Sequence, residues 1–423
     1  MPHPYASGPP PAPYPSWFGL PPYVEAYRQR GRTALVALVA VAGALGVAAT
    51  LLLALTAGEP AGSGLALLYA MLPVPFLVGS YFWLDRYERE PLRYKFAAFV
   101  WGAVVAVAIA LILQLLVAAI WDLSDNQLAT FVAPATEEPA KCAFLLLLFA
   151  RKRRVLDGFV DALVFAGLVG LGFAFVENVL YYAGSYLGSP DLDIDGATAA
   201  TATFFVRGIM SPFAHPLFTS AFGIALGFTL LVRSKTLKFL IGTTGLALSM
   251  SLHGAWNGSL SYYGGGGFLI FYLLSALVFV ALVATACLAR KKQGDQLAQA
   301  LWETSRRGWL HPDEVPYLSR FALRRNARQF AKGRGGPLAV DALKRYQQLA
   351  VTMAFLYAGV MVGRPKPQAV PKVYALRGAM ESVKPLVMLP PPVRPPQPVM
   401  PYPYANHPPP ATGPPPQPPY SGY

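Results

Sequence analysis

Charged side chains are scarce in this sequence. Asp, Glu, Lys and Arg together make up 13% of its 423 residues, whereas hydrophobic residues make up 54% and the mean hydropathy is +0.41. Soluble globular domains carry about 25% charged residues, so this composition excludes an ordinary water-soluble core. We therefore expect a polytopic membrane protein.

Cysteine is almost absent as well. The two cysteines, Cys142 and Cys287, both lie inside apolar runs, which makes a disulfide framework unlikely. No zinc-finger spacing or recognisable recognition helix accompanies the formal net charge of +14, so the sequence does not favour nucleic-acid binding.

Long apolar runs are what the sequence has instead. Each is near the roughly 20 residues that a helix needs to cross a membrane. They predict an all-α fold with about eight transmembrane helices. The runs are Thr33–Ala57, Gly64–Leu84, Phe96–Trp121, Leu128–Ala150, Val155–Ala183, Phe204–Val232, Phe239–Leu260 and Phe268–Ala289.

The basic residues predict the orientation of these spans. Lys and Arg cluster at both ends of the membrane region and in every second connection, whereas the alternate connections contain neither. Because basic loops resist translocation, this pattern predicts eight spans with both termini on the cytoplasmic side.

Four regions follow from the composition. Residues 1–32 are a Pro-rich cytoplasmic terminus that we expect to be disordered, and residues 33–289 are the membrane domain. Residues 290–364 are a basic, partly amphipathic helical region, in which Leu349–Gly363 is a core or interfacial helix. Residues 365–423 are a Pro-rich tail, expected to be a disordered spacer or a docking segment for cytoplasmic partners. The basic cytoplasmic surface should favour anionic lipid headgroups.

Several polar residues lie inside the predicted spans. Glu137 and Glu138 stand side by side in Leu128–Ala150, although one carboxylate at a helix centre already costs about 2.5–3.5 kcal/mol on insertion scales. Lys141 follows one turn later, where it can compensate one of the charges. The remaining polar residues in this set are Glu177, Asn178, His215, His253 and Asn257.

Depth in the membrane tests whether these residues can meet. Counted from the cytoplasmic basic edge at about 1.5 Å per residue, Glu137 lies about 21 Å up, His253 about 22 Å and His215 about 27 Å. These three therefore converge on the outer side of the midplane. The same count places Glu177 at about 35 Å, which is the outer edge of the hydrocarbon layer unless its helix tilts or breaks. Arg207, near the outer end of the sixth span, is expected to be an interfacial anchor.

Four segments carry a family resemblance: EEPAK (137–141), GFAFVEN (172–178), HPLFTSAFG (215–223) and HGAWN (253–257). In this order they resemble the motifs of PrsW-type intramembrane proteases, which are related to the CAAX prenyl endopeptidases. The resemblance implies an endopeptidase of a bacterial plasma membrane that hydrolyses membrane-embedded or membrane-tethered proteins, such as anti-sigma factors. The CAAX relatives carry His where this chain has Glu177.

Two mechanisms use these residues differently. In a metal-dependent version, His215, His253 and a carboxylate such as Glu177 hold Zn²⁺, while a remaining Glu is the general base. In a metal-free version, Glu137 or Glu138 is the base, helped by His215, while His253 and Asn257 bind the oxyanion. Adjacent helical residues point about 100° apart, so we expect only one of the two glutamates to face the cavity squarely.

Two other classes of function fit an eight-span protein with buried charges. Intramembrane Glu, Lys and His also form ion or proton paths in transporters, although the repeat symmetry typical of transporters is not evident here. A non-catalytic scaffold that presents Pro-rich segments is the third hypothesis. The protease hypothesis further predicts cleavage near the extracytoplasmic boundary of the substrate's span, because the polar residues lie in the outer half.

Overall fold

The structure is a computed structural model that describes residues 44, 48, 60–87, 90–151, 155, 156, 158–188, 194–361 and 369–392. The predicted first span, Thr33–Ala57, lies almost entirely outside these residues, as do most of both Pro-rich termini. Within the described part of the chain, all regular secondary structure is helical. An all-α polytopic membrane protein is thereby confirmed.

The helices are numbered here in chain order. Three short π-helical segments, named π1 to π3, interrupt them. The membrane region contains α1 (Pro60–Met71), α2 (Val74–Leu84), α3 (Leu92–Val100), π1 (Trp101–Ala106), α4 (Val107–Ile120), π2 (Leu128–Val132), α5 (Ala133–Arg151), α6 (Phe159–Tyr186), α7 (Gly196–Phe204), π3 (Phe205–Met210), α8 (Ala214–Thr229) and α9 (Lys235–Arg306). After it come α10 (Val315–Ser319), α11 (Phe321–Met361) and α12 (Ala369–Val383).

Five helical stretches among the described residues are long and apolar enough to cross a membrane. Helix α5 is not among them, because the charges of Glu137, Glu138, Lys141 and Arg151 lower its hydropathy. The five stretches are Pro60–Leu84, Leu92–Ile120, Phe159–Tyr186, Gly196–Thr229 and Lys235–Arg306.

The longest of these stretches, α9, is two antiparallel helices. Gly264 breaks it with a positive φ of 61°, a backbone conformation that glycine adopts readily. Trp256 before the break lies against Phe268 and Tyr272 after it, with ring centroids 5.3 and 6.3 Å apart. The chain therefore doubles back at Gly264, as expected for two successive spans.

Helix α6 is the central element of the membrane domain. Most of its apolar stretch is buried by other helices, whereas α1, α2, α3 and α4 leave most of theirs exposed. Small residues allow the neighbours of α6 to approach its backbone closely. A Cβ atom added to Gly172 would lie 2.0 Å from the carbonyl oxygen of Phe99, and one added to Gly102 would lie 2.0 Å from that of Val169. This contact fixes the α3–π1 segment against α6.

The residues after the last span form a second hydrophobic core. Leu297, Leu301, Leu349 and Met353 are buried together in it, so the described part of Leu349–Gly363, which ends at Met361, is a core helix. Helix α12 packs into the same core through residues that are also buried: Val373, Leu376 and Met380. The helical region therefore extends past the boundary that the sequence places at Arg364, because α12 supplies apolar side chains that the core requires.

A pair of glycines on α6 tests the close contact with α3. Replacing Gly172 by Ala should lower the free energy of unfolding by about 1–3 kcal/mol, since its new methyl group has no room. Gly184→Ala is the matched control, because nothing lies within 4 Å of a Cβ at that position. Thermal unfolding of the purified protein in detergent would measure both variants. Equal melting temperatures for the two would contradict the packing described here.

Candidate active site

Three helices bring five polar residues together inside the membrane domain. Helix α5 supplies Glu137, Glu138 and Lys141, while α8 supplies His215 and the first half of α9 supplies His253. All five are buried, with between 0 and 7% of each residue exposed. We call these five residues the polar cluster. A set of ionisable groups so well shielded within one membrane domain is stable only if its members pair with one another.

The ammonium group of Lys141 lies at the centre of the polar cluster. Its Nζ atom is 2.8 Å from Oε1 of Glu138, 3.2 Å from Oε2 of Glu137 and 3.1 Å from Nδ1 of His215. It also lies 3.8 Å from the centroid of the Phe173 ring. The three N–H donors of the ammonium group therefore each have a partner.

Glu138 has hydrogen-bond partners on both carboxylate oxygens. Lys141 and Nδ1 of His253, at 2.9 Å, contact Oε1. The hydroxyl of Thr219 donates to Oε2 at 3.3 Å, and the hydroxyl of Ser249 lies 2.8 Å from both Oε2 and the carbonyl oxygen of Phe218, which share its single proton. An ionised carboxylate offers about four lone-pair sites, so Glu138 has no site left for a water molecule.

Glu137 is less completely bonded. Lys141 contacts its Oε2, and the amide of Gln114 donates to Oε1 at 3.3 Å. Nδ1 of His253 lies 3.9 Å from Oε2, too far for a hydrogen bond. Both glutamates thus face the polar cluster, in contrast to the expectation that only one would do so. Lys141, one turn further on, is long enough to reach both.

Glu177 joins the polar cluster through His215. Its Oε2 atom contacts Nε2 of His215, while Nδ1 of the same ring faces Lys141. Because an ammonium group can only donate, Nδ1 of His215 must accept, and the proton of a neutral ring is then on Nε2 and points to Glu177. The carboxylate therefore fixes the tautomer and the orientation of the imidazole.

The depth count placed Glu177 too far out to make this contact. It started at Arg154, whereas α6 begins only at Phe159. The described residues just before Phe159, at 155, 156 and 158, are not helical, so a helical rise counted from Arg154 places Glu177 too far out.

Asn257 takes no part in the contacts within the polar cluster. Its side-chain amide donates to the carbonyl oxygen of Ala129 in π2 at 2.8 Å. In a π-helix the backbone hydrogen bonds span five residues instead of the four of an α-helix. The contact links α9 to the segment that leads into α5.

Sequence reasoning missed four residues that contact the site. Ser and Thr are common in membrane helices, so nothing marked Thr219 or Ser249. Gln114 stood out only as a single amide in an apolar run. Arg207 was expected at the membrane interface, but its guanidinium group donates to Glu177 and Asn178, each at 2.8 Å.

The family comparison agrees with this geometry. Residues 90–284, which contain the whole polar cluster, match the family described as PrsW family intramembrane metalloprotease. Over these residues the chain is similar to the PrsW-type intramembrane proteases. The motif resemblance that the sequence shows is thereby confirmed.

Relatives of this PrsW-type chain come from several bacteria. It is 28% identical over 179 residues to Protease PrsW of Geobacillus kaustophilus (strain HTA426), a match that covers 42% of this chain and 72% of the relative. It is 27% identical over 203 residues to Protease PrsW of Bacillus subtilis (strain 168), covering 48% and 84%. No solved structure matches the chain. The enzyme class is therefore a protease, and the transporter and scaffold hypotheses are not favoured.

The polar cluster also offers a set of metal ligands. One donor atom from each of Glu137, Glu138, His215 and His253 lies within 4.8 Å of the others. Two imidazoles and carboxylates are the donor types that zinc takes in hydrolytic enzymes. Each histidine is oriented by a carboxylate, His215 by Glu177 and His253 by Glu138, as metal-bound histidines usually are. The donor set therefore fits a divalent ion, with Glu177 as a partner of His215 outside the set.

Lys141 competes with a metal ion for these donors, since it contacts three of the four. Two unit charges 4 Å apart repel by about 4 kcal/mol at an effective dielectric constant of 20, and a divalent ion doubles this. Replacing Lys141 by Met should therefore raise the affinity for Co²⁺ or Zn²⁺ at least about tenfold, which corresponds to 1.4 kcal/mol. Added metal should also raise the melting temperature of this variant.

Competition against a chromophoric chelator would measure the dissociation constants. Lys235→Met is the matched control, because Lys235 is exposed at the start of α9. An unchanged metal affinity in Lys141→Met, with the control also unchanged, would show that the ammonium group does not occupy the ion's position.

Proposed function

We propose that the polar cluster is the hydrolytic centre of this intramembrane protease and that it cuts membrane-embedded or membrane-tethered proteins near the extracytoplasmic boundary. The observation that supports this most strongly is the convergence of two carboxylates, two imidazoles and one ammonium group from α5, α8 and α9. Regulators of the anti-sigma-factor kind have the required topology, since a single span connects their two soluble parts.

Glu137 is the general base in this proposal. Both adjacent carboxylates are near His253, but Glu138 is already bonded to Lys141, His253, Ser249 and Thr219. Glu137 has fewer partners and can therefore accept a hydrogen bond from a water molecule and take its proton. Glu138 holds His253 in place and keeps the charge of Lys141 compensated.

The cationic and imidazole groups stabilise the charge that develops on the substrate carbonyl. Glu138 binds Nδ1 of His253, which leaves Nε2 of that ring for the reaction. Lys141 places a positive charge in an environment of low dielectric constant, where electrostatic stabilisation is strongest. A divalent ion held by His215 and His253 would lower the pKa of a bound water molecule toward neutrality.

The position of the polar cluster along the helices supports cleavage on the outer side. His215 is the second residue of α8, and the basic residues Arg233, Lys235 and Lys238 follow the opposite end of that helix. Likewise, Glu137 lies near the start of α5, which ends at Arg151. Because basic ends stay in the cytoplasm, the polar cluster lies toward the extracytoplasmic side. With this orientation we further propose that both termini lie in the cytoplasm of a bacterial cell.

The soluble parts have proposed roles of a more general kind. The basic region after Ala289 faces the inner surface of the plasma membrane and favours anionic headgroups. The Pro-rich segments at 1–32 and in the tail are spacers that can dock cytoplasmic partners. Neither part contributes a residue to the polar cluster, and nothing in this proposal involves nucleic acid.

Cleavage of a single-span protein by the reconstituted full chain tests the proposed function. We expect products whose new termini, mapped by mass spectrometry, lie at the extracytoplasmic end of the substrate's span. His253→Ala should lower the rate at least about 100-fold, because removing one donor that stabilises the oxyanion costs about 10²–10³-fold. His311→Ala is the matched control, since this histidine is exposed and outside the membrane domain.

Two results would contradict the proposal. Full activity in His253→Ala would show that hydrolysis does not occur at the polar cluster. Products that arise only from cytoplasmic segments of the substrate would show that the site opens to the other side.

A further inference from the structure

We propose that Arg207 is a positioning residue of the active site, which acts by holding Glu177 against His215. This inference rests on the proposed function, since it assigns a role in that same site. Arg207 does not contact the polar cluster itself. It lies one contact away, on the outer side of Glu177.

The contacts of the guanidinium group are specific. Nη2 of Arg207 donates to Oε2 of Glu177, and Nε donates to Oδ1 of Asn178, both at 2.8 Å. The group also lies 3.9 Å from the centroid of the Tyr181 ring. These three partners lie on one surface of α6, so together they fix the guanidinium group beside Glu177. The planar guanidinium group, with several N–H donors, can make these contacts at the same time, whereas a single ammonium group cannot.

The oxygen that Arg207 binds is the same one that binds the histidine. Oε2 of Glu177 contacts both Nη2 of Arg207 and Nε2 of His215. The contact with His215 fixes the tautomer in which Nδ1 faces Lys141. A chain of contacts therefore runs from Arg207 through Glu177 and His215 to Lys141 at the centre of the polar cluster.

Compensation of charge explains why Glu177 requires this partner. Its side chain is only 17% exposed, so an ionised carboxylate there needs a cation. Lys141 is already bonded to Glu137, Glu138 and His215. Arg207 supplies the second cation. Without it, the carboxylate would turn toward water and release His215.

The local backbone is unusual at this position. Arg207 lies in π3, between α7 and α8, and π-helical segments are frequent at functional sites. An interfacial anchor would need no such segment, because its side chain only has to reach the headgroups. The side chain of Arg207 is 22% exposed and directed at Glu177 and Asn178 instead.

Steady-state kinetics of the reconstituted full chain tests the inference. Arg207→Gln should lower kcat about 10- to 100-fold with little change in KM, the loss typical when a partner that orients a catalytic histidine is removed. Arg207→Lys should restore part of kcat, because it keeps the charge beside Glu177. The double variant Arg207→Gln/Glu177→Gln should be no slower than Glu177→Gln alone, since Arg207 acts through Glu177.

Two further variants separate positioning from simple packing. Arg233→Gln removes an exposed arginine beyond α8 and should leave kcat unchanged. Asn178→Ala breaks one of the two hydrogen bonds but keeps the contact with Glu177, so its kcat should fall much less than that of Arg207→Gln. Melting temperatures of all variants would be measured in parallel.

The outcomes distinguish this inference from the proposed function. If the wild type cleaves and His253→Ala does not, the proposed function holds whatever Arg207 does. An Arg207→Gln variant with wild-type kcat, or with losses in kcat that Asn178→Ala matches, would then overturn the positioning role alone. Wild-type protein and His253→Ala with equal cleavage rates would instead contradict the proposed function.

Discussion

The contact of one ammonium group with three buried acceptors is the interaction on which the rest of this site depends. Lys141 is fully buried and lies between Glu137, Glu138 and His215. Each of these groups alone would be costly inside a membrane, and together they compensate one another. The arrangement requires three helices to meet at one depth. The packing of the membrane domain holds the three helices in this position.

The packing of the membrane domain depends on close backbone contacts and on breaks in helical regularity. Glycines let α3 and π1 approach α6 to a distance that no side chain allows. The π-helical segments π2 and π3 carry contacts beside the site: Asn257 links α9 to π2, and Arg207 in π3 binds Glu177 and Asn178. The regular helices thus fix the polar cluster, and the π-helical segments position residues beside it.

The sequence predicted the membrane fold and most of the residues that meet in the polar cluster. The lengths of the apolar runs and the positions of Lys and Arg predict the spans. A rise of about 1.5 Å per residue predicts the depth of each residue in the membrane, and the predicted depths bring Glu137, His215 and His253 together. Rotation about a helix axis and the reach of a long side chain are not given by such a count. For this reason the sequence did not show that both glutamates face Lys141, that Glu177 contacts His215, or that Arg207 lies beside Glu177. These relations depend on how neighbouring helices pack.

The division of labour between the two adjacent glutamates is the claim that most needs a direct measurement. Steady-state cleavage rates and melting temperatures of Glu137→Gln and Glu138→Gln would be compared under one set of conditions. The account predicts that Glu137→Gln loses at least about 100-fold in kcat and keeps a melting temperature close to that of the wild type. It predicts that Glu138→Gln loses stability as well, because His253, Lys141, Ser249 and Thr219 all lose their charged partner. Wild-type kcat in Glu137→Gln would contradict the account.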